Sequence, residues 1–165
     1  MISIRKAAHL DLITIHNLAY EIWPAAYLEI LGQAQLDYML EKIYSLPSLE
    51  HQYNILKHHF ILITDDEVPV GFSSFSSHDN DASVYHLNKI YVHPDQQGKK
   101  LGKKMLDYII EHIKNAGAKA LQLNVNRHNK ALYFYEKQGF KMIRSEEIDI
   151  GSGYFMNDYV MELKV

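Results

Sequence analysis

The sequence predicts a mixed α/β chain in which a central, mostly antiparallel sheet carries helices on its faces. Three observations lead there. Amphipathic helical spacing fills much of residues 10–57, compact strands separated by charged or polar turns follow from residue 60 to residue 92, and a strand, helix, strand run spans residues 84–125. Tight turns let the early strands pair antiparallel, whereas a crossover helix makes the strands on either side of it parallel. Parallel neighbours of that kind leave a ligand site near strand ends.

Each element has a local reason. Residues 1–5 alternate as a short strand, and Leu10, Ile13, Leu18 and Ile22 then follow a roughly helical period from Asp11 toward Trp23. Pro24 is expected to end or kink that helix. Residues 33–44 form a second helix with Leu36, Met39, Leu40 and Ile43 on one face, and residues 48–57 a third. Residues 60–64 and 68–76 read as a hairpin around Asp65, Asp66 and Glu67. After polar residues 78–82 comes a long strand over residues 84–92, then a helix on which Leu101, Met105, Ile109 and Ile113 step by four, with Leu106 and Ile110 beside them, until Gly117. Residues 119–125 alternate as a strand, and Asn129 can cap a short helix over residues 130–138 that stops at Gly139. Residues 141–150 and 154–165 are two strands around Gly151, Ser152 and Gly153, bringing the strand count to about seven.

With 165 residues and 19.2 kDa the chain suits one domain, residues 1–165, long enough to bury a substantial core. A net charge of -3 and a pI near 6.3 argue against nucleic acid or an anionic membrane as partner, since those partners need an excess of basic charge. There are no cysteines, so disulfides, thiolate metal sites and cysteinyl intermediates fall away together. The first residues lack a long apolar signal core, and no apolar run approaches the roughly 18 residues that span a bilayer, so a cytoplasmic protein is expected. Ten histidines do not make a metal site: His58 and His59 are adjacent and face opposite ways on a strand, and no HExxH spacing occurs.

The most informative stretch is residues 93–106, HPDQQGKKLGKKML. An apolar run, Ile90, Tyr91 and Val92, stops at a His-Pro turn, and a glycine and lysine loop feeds directly into the amphipathic helix. The first N–H groups of such a helix have no intrahelical partner and suit a phosphate-bearing ligand. Lys99, Lys100, Lys103 and Lys104 crowd the same place, although a lysine cluster also arises as a plain solvated helix face.

These residues resemble the GNAT superfamily of acetyl-CoA-dependent N-acyltransferases. The phosphate loop of that family runs Gln or Arg, two residues, Gly, one residue, then Gly or Ala; here Gln97, Lys100 and Gly102 hold those positions, with Lys100 in place of the central glycine. Gln97-Gly98 and Gly102 carry the match, and lysine keeps the backbone N–H that the ligand would use, provided its φ needs no positive value. A second segment, residues 129–140 (NKALYFYEKQGF), is similar to the family's late Asn, Ala, aromatic-Tyr and Gly-Phe pattern. The resemblance is good over residues 85–140 and implies a mixed sheet of about seven strands, splayed at the acetyl-CoA site.

It implies roles as well. Backbone amides of Gln97, Gly98, Lys99, Lys100, Leu101, Gly102 and Lys103 would hold the pyrophosphate, and main-chain groups of Ile90 and Val92 would pair with pantetheine, the Val92 N–H lying near the thioester oxygen. Asn129 is either a cofactor contact, a helix cap, or both. Tyr135 would protonate the departing thiolate, a phenol with a pKa of about 10 being reasonably matched to that task; its alternative is a buried aromatic beside Leu132 and Phe134. Tyr133 sits roughly 200° away around the helix.

For the base, His86 shares a strand face with Asn88, opposite Lys89, and titrates near neutrality, with Glu21 and Asp158 as alternatives and a solvent-facing histidine as the plainer account. Trp23, Tyr27, Tyr154, Phe155 and Asp158 could wall an acceptor pocket for a cationic amine, though core packing accounts for most aromatics. The implied activity is direct acetyl transfer from acetyl-CoA, with no metal, to a primary amine on a small molecule or peptide. A non-catalytic acyl-CoA-binding or regulatory domain is the alternative, and a homodimer through the C-terminal strands stays open because an exposed strand edge can pair.

Overall fold

The structure, a computed structural model, describes residues 1–165. Its strands are β1 (Ile2–Lys6), β2 (His59–Asp65), β3 (Val68–His78), β4 (Asp81–Val92), β5 (Ala120–Asn126), β6 (Lys141–Gly151) and β7 (Tyr154–Lys164). Its helices are α1 (Leu12–Leu31), α2 (Gln33–Tyr44), α3 (Leu46–Asn54), α4 (Leu101–Asn115) and α5 (Ala131–Lys137). The seven strands join one sheet in the order β1-β2-β3-β4-β5-β7-β6. β4 and β5 run parallel, as the crossover through α4 requires, while β1 with β2, β2 with β3, β5 with β7 and β6 with β7 are antiparallel. The mixed sheet expected from the sequence is therefore present. Contacts divide the chain into two compact units, residues 1–76 with 89–109, and residues 77–88 with 110–165.

In the first unit, α1 runs through Pro24 and continues to Leu31, further than the sequence suggested. Proline removes the N–H that would bond to the Tyr20 carbonyl and costs about 3 kcal/mol in a helix interior. Burial of Ile22, Trp23 and Tyr27 to between 3% and 8% exposure offsets it, at about 1.5–3 kcal/mol for each large side chain. Gly32, at φ +78, ends α1 with its N–H donating to the Leu28 carbonyl at 2.9 Å. α2 buries Leu36, Met39, Leu40 and Tyr44, and Ser45 then caps α3 by accepting from the Ser48 N–H at 3.3 Å. α3 starts before the expected Ser48 because Pro47 suits a first helical turn.

β2 is buried along residues 60–64, with a continuous apolar run over residues 60–63 rather than an alternating one, so both of its faces are covered. Asp66 and Glu67, both left-handed in backbone at φ +47 and +69, turn it into β3 as a two-residue hairpin whose turn matches the right-handed twist of the strands. Gly71 on β3 is a position that the sequence pattern did not single out. A Cβ there would lie 2.7 Å from the Tyr91 carbonyl and 2.9 Å from Ile63 Cγ2, so β3 passes the end of β4 only without a side chain.

Lys89 is also buried in this unit, at 7% exposure. Its Nζ donates to Gln52 Oε1 at 2.6 Å and stands 5.6 Å from the Tyr44 ring centre and 5.7 Å from that of Phe60. Gln52 is held in turn, its Nε2 donating to the Ile43 carbonyl at 2.8 Å and to Ser48 Oγ at 3.1 Å. The two rings favour the ammonium, but burial outweighs them and pulls the Lys89 pKa from 10.5 down to about 7.

In the second unit, β4 pairs with β5 from Val84↔Ala120 to Leu87↔Leu123. Leu121, Leu123 and Val125 of β5 are buried, and Gln122, Asn124 and Asn126 alternate with them on the other face. Gly139, at φ +101, closes α5 and leads into β6. No helix of the chain is long and apolar enough to cross a membrane.

Gly71→Ala should lower stability by about 1–3 kcal/mol, because backbone and not a flexible side chain must give way; chemical denaturation measures it, and an unchanged midpoint would contradict the close approach. Between pH 7 and 10.5 the unfolded chain holds the Lys89 proton and the native chain does not, so this residue makes stability rise with pH across that window. Lys89→Met removes that slope. Its Tm relative to that of the unaltered chain should be highest near pH 7 and fall toward pH 10, and a pH-independent difference would show that Lys89 keeps its proton.

Candidate functional site

The connection from β4 to α4 lies wholly in the first unit. After Val92, His93 Nδ1 accepts from the Asp95 N–H at 3.2 Å and starts a single 3-10 turn over Pro94–Gln96. The His93 N–H donates to the Val70 carbonyl at 2.8 Å, which ties the exit of β4 to β3. Gly98 and Lys100 then both adopt left-handed backbone, at φ +84 and +59. A Cβ on Gly98 would meet nothing within 4 Å, so conformation and not space asks for glycine there. Lys100 holds the positive φ that the family's central glycine would adopt freely, so the condition under which lysine would be harmless is not met. A non-glycine residue in this region carries about 1–2 kcal/mol of strain.

The Lys104 N–H is the first to close onto this turn, donating to the Lys100 carbonyl at 3.1 Å. The N–H groups of Leu101, Gly102 and Lys103 at the start of α4 therefore have no intrahelical acceptor. Lys99 is drawn to Gln96 Oε1 at 2.8 Å and to Asp65 at 3.8 Å, and Lys103 to Asp107 at 2.7 Å. These lysines add positive charge around the turn while the backbone supplies the directed donors. Ile90 and Val92 are half-buried on β4, beyond the stretch that pairs with β5. Glu21 is largely exposed and lies 3.4 Å from His93 Nε2. Trp23 and Tyr27 are buried in an aromatic group with Tyr44, Tyr91 and Phe72, where the Tyr27 and Tyr91 hydroxyls share a hydrogen bond of 2.9 Å.

The second unit holds the remaining candidates. Asn129 stands one residue before the N-cap position of α5, which Lys130 holds, and its Oδ1 accepts from the Ala131 N–H at 2.9 Å in a turn leading into the helix. Tyr135 is 8% exposed, its ring 5.4 Å from that of Phe134 and 5.7 Å from that of Phe140, whereas Tyr133 is 70% exposed on the other side of the helix. Tyr154 is half-buried at the start of β7 and Phe155 beside it is exposed.

Asp158 is buried on β7, opposite Asn126 of β5 on one side and Glu146 of β6 on the other. Burial raises its carboxyl above the usual aspartate range; Asn124 and Arg127 pull it down, and Glu146 adds to the rise. Asn124 Nδ2 lies 3.3 Å from Glu146 Oε2 and 3.5 Å from Asp158 Oδ2. Glu146 is held below the usual range by its hydrogen bond from Arg144 at 2.9 Å, with smaller contributions from Asn124 and from His86, half-buried on β4 opposite Gln122.

The candidates thus fall into two groups: the turn with Ile90, Val92, Trp23 and Tyr27 in the first unit, and Tyr135, His86, Asn129, Tyr154 and Asp158 in the second. Sequence reasoning missed Asn124 and Glu146 as neighbours of Asp158. The alternation of polar Gln122, Asn124 and Asn126 with apolar neighbours was visible, but only the register of β5, β7 and β6 puts these residues side by side.

The family described as Acetyltransferase (GNAT) matches residues 14–140 of the chain. Spermidine N(1)-acetyltransferase of Thermoplasma acidophilum is 30% identical over 99% of this chain and 97% of its own length. Peptidyl-lysine N-acetyltransferase YjaB of Salmonella typhimurium is 32% identical over 58% of this chain, which spans about three fifths (59%) of that relative. Among solved structures, the paia N-acetyltransferase of Thermoplasma acidophilum in complex with coenzyme A superposes with a TM-score of 0.82 at 28% identity, covering 100% of this chain and 99% of the other.

Lys100→Gly should relieve the left-handed strain and raise stability by about 1 kcal/mol. Calorimetric unfolding reads the change, and a loss of stability would mean that the lysine side chain contributes more than its backbone costs.

Proposed function

The chain belongs to the acetyltransferase (GNAT) family, and on that footing we propose that it transfers an acetyl group directly from acetyl-CoA to a primary amine of a small molecule or peptide. The turn at the end of β4 carries the reading: two left-handed residues present three adjacent N–H donors at the start of a 15-residue helix, a geometry that suits the diphosphate of a coenzyme A thioester. Gln97, Gly98, Lys99, Lys100, Leu101, Gly102 and Lys103 hold that diphosphate, and Ile90 and Val92 offer main-chain groups to the pantetheine arm. Acetyl-CoA, when bound, supplies the acetyl group as a thioester.

The remaining roles belong to this chain's own residues. The Val92 N–H donates to the oxygen on which negative charge develops. His86 receives the proton that the amine must lose, directly or through water. Tyr135 gives its hydroxyl proton to the departing sulfur, and Asn129 keeps the start of α5 in place while offering its amide to the cofactor. On the acceptor side, Asp158 and Tyr154 attract a cationic amine, with Trp23 and Tyr27 as the aromatic partners that the sequence suggests. Relatives named for spermidine and for peptidyl-lysine support an amine acceptor of this class. The absence of a membrane-spanning helix is in keeping with action in the cytoplasm, and the strand edge of β6 would be the place for a homodimer to form.

Free-thiol release from acetyl-CoA with a panel of amines tests the reading, and the chain has no cysteine of its own to contribute a background signal. Turnover with at least one primary amine is expected. Tyr135→Phe should lower kcat about a hundredfold with the KM for acetyl-CoA little changed. Saturable coenzyme A binding without turnover, or a Tyr135→Phe variant as active as the unaltered chain, would overturn the assignment.

A further inference from the structure

We propose that His93 is the positioning residue of the diphosphate turn, its ring holding the turn in shape from Nδ1 and joining it to α1 from Nε2. The inference rests on the acetyl-CoA reading of that turn and adds to it a residue outside the Gln97, Lys100 and Gly102 pattern. The turn needs holding. Between Val92 and Leu101 the chain makes one 3-10 turn and passes through two left-handed residues, and Lys100 keeps its φ of +59 against a steric preference. A loop that binds through its N–H groups gains from being set before the ligand arrives, because ordering it afterwards subtracts from affinity.

His93 is placed to do this. Its own N–H donates to the Val70 carbonyl at 2.8 Å, so the residue is anchored to β3. Pro94 has no N–H, and the next donor along the chain, that of Asp95, is accepted by His93 Nδ1 at 3.2 Å. The His93 carbonyl accepts from the Gln96 N–H at 2.9 Å and closes the turn from the other side. A main-chain N–H can only donate, so Nδ1 is the bare nitrogen and the neutral ring carries its proton on Nε2. That nitrogen lies 3.4 Å from Glu21 Oε2, which links the turn to α1. The charged groups facing the ring are Glu21 from α1 and, from the turn itself, Asp95, whose Oδ2 is 3.6 Å from Nδ1; β3 contributes the Val70 carbonyl to the backbone. With its side chain 26% exposed, the ring can exchange a proton with solvent. Protonation puts a hydrogen on Nδ1, opposite the Asp95 N–H. Both carboxylates favour the charged ring, but neither replaces the lost acceptor, so the cap opens as the imidazole gains its second proton.

Two substitutions separate the ring nitrogens. His93→Asn puts an amide oxygen where Nδ1 stood and keeps the cap, while His93→Gln reaches toward Glu21 and leaves the Asp95 N–H without an acceptor. Calorimetry with coenzyme A at pH 8 should give His93→Asn a Kd within about twofold of the unaltered chain and His93→Gln one about fivefold higher. In turnover of acetyl-CoA the loss in His93→Gln should lie in KM, with kcat little changed. From about pH 8 to about pH 5.5 the unaltered chain should lose about fivefold in affinity relative to His93→Asn, a ratio from which the titration of the coenzyme's own phosphate cancels. This comparison stands even where His93→Gln fails to fold. Equal weakening in both variants, a ratio that does not move with pH, or a fall in kcat with KM preserved would overturn the proposal. Amide hydrogen exchange over residues 95–104 without cofactor separates the inference from its premise. Faster exchange in His93→Gln than in the unaltered chain and His93→Asn supports His93 as the holder of the turn even if coenzyme A does not bind, while equal exchange in all three refutes it.

Discussion

The backbone reversal between Val92 and Leu101 is the constraint on which the rest of the structure depends. Gly98 and Lys100, both left-handed, convert the end of β4 directly into α4, with no long loop between them. The direction in which α4 leaves decides that β5 returns parallel to β4, and a parallel pair joined by one crossover helix distinguishes this sheet from an antiparallel meander. The same reversal leaves the first N–H groups of α4 without acceptors. Topology and the row of unpaired N–H donors are therefore two consequences of one turn.

The lysine at position 100 shows how far function tolerates strain. Glycine would adopt φ +59 at little cost, and lysine does not. The loop keeps its left-handed shape nonetheless, held by the hydrogen bonds of α4 on one side and of the Pro94–Gln96 turn on the other. What lysine changes is charge: it adds a cation where a diphosphate would dock, in a chain whose net charge is -3.

Each unit also contains an ionisable group in a place that disfavours its charge. Lys89 is enclosed by Tyr44, Phe60 and Gln52, and Asp158 stands beside Glu146 with one oxygen unsatisfied. The two differ in what surrounds them. Lys89 has a hydrogen-bond acceptor that is itself anchored to α2 and α3, so its environment is complete and its role is to join β4 to the helices. Asp158 has a weak contact to Asn124 on one oxygen and no donor on the other, so its carboxyl bears the cost of burial with little compensation.

By itself the sequence determined the order and kind of nearly every element, because short-range signals specify them: alternation for the strands, four-residue steps for α4, and glycines where α4 and α5 end. It also determined the two motifs around Gln97 and Tyr135 from which the family could be inferred, since a loop that binds through its backbone and a helix that follows it are written in contiguous residues. Tertiary structure decided what depends on residues far apart in the chain. Burial of Trp23 and Tyr27 carries α1 through Pro24, where local propensity stops it. The left-handed state of Lys100, the need for glycine at position 71 and the enclosure of Lys89 each depend on neighbours from other segments. The group formed by Asp158, Asn124 and Glu146 has the same origin. Strand register alone brings it together, and register is a property of paired strands that no single strand encodes.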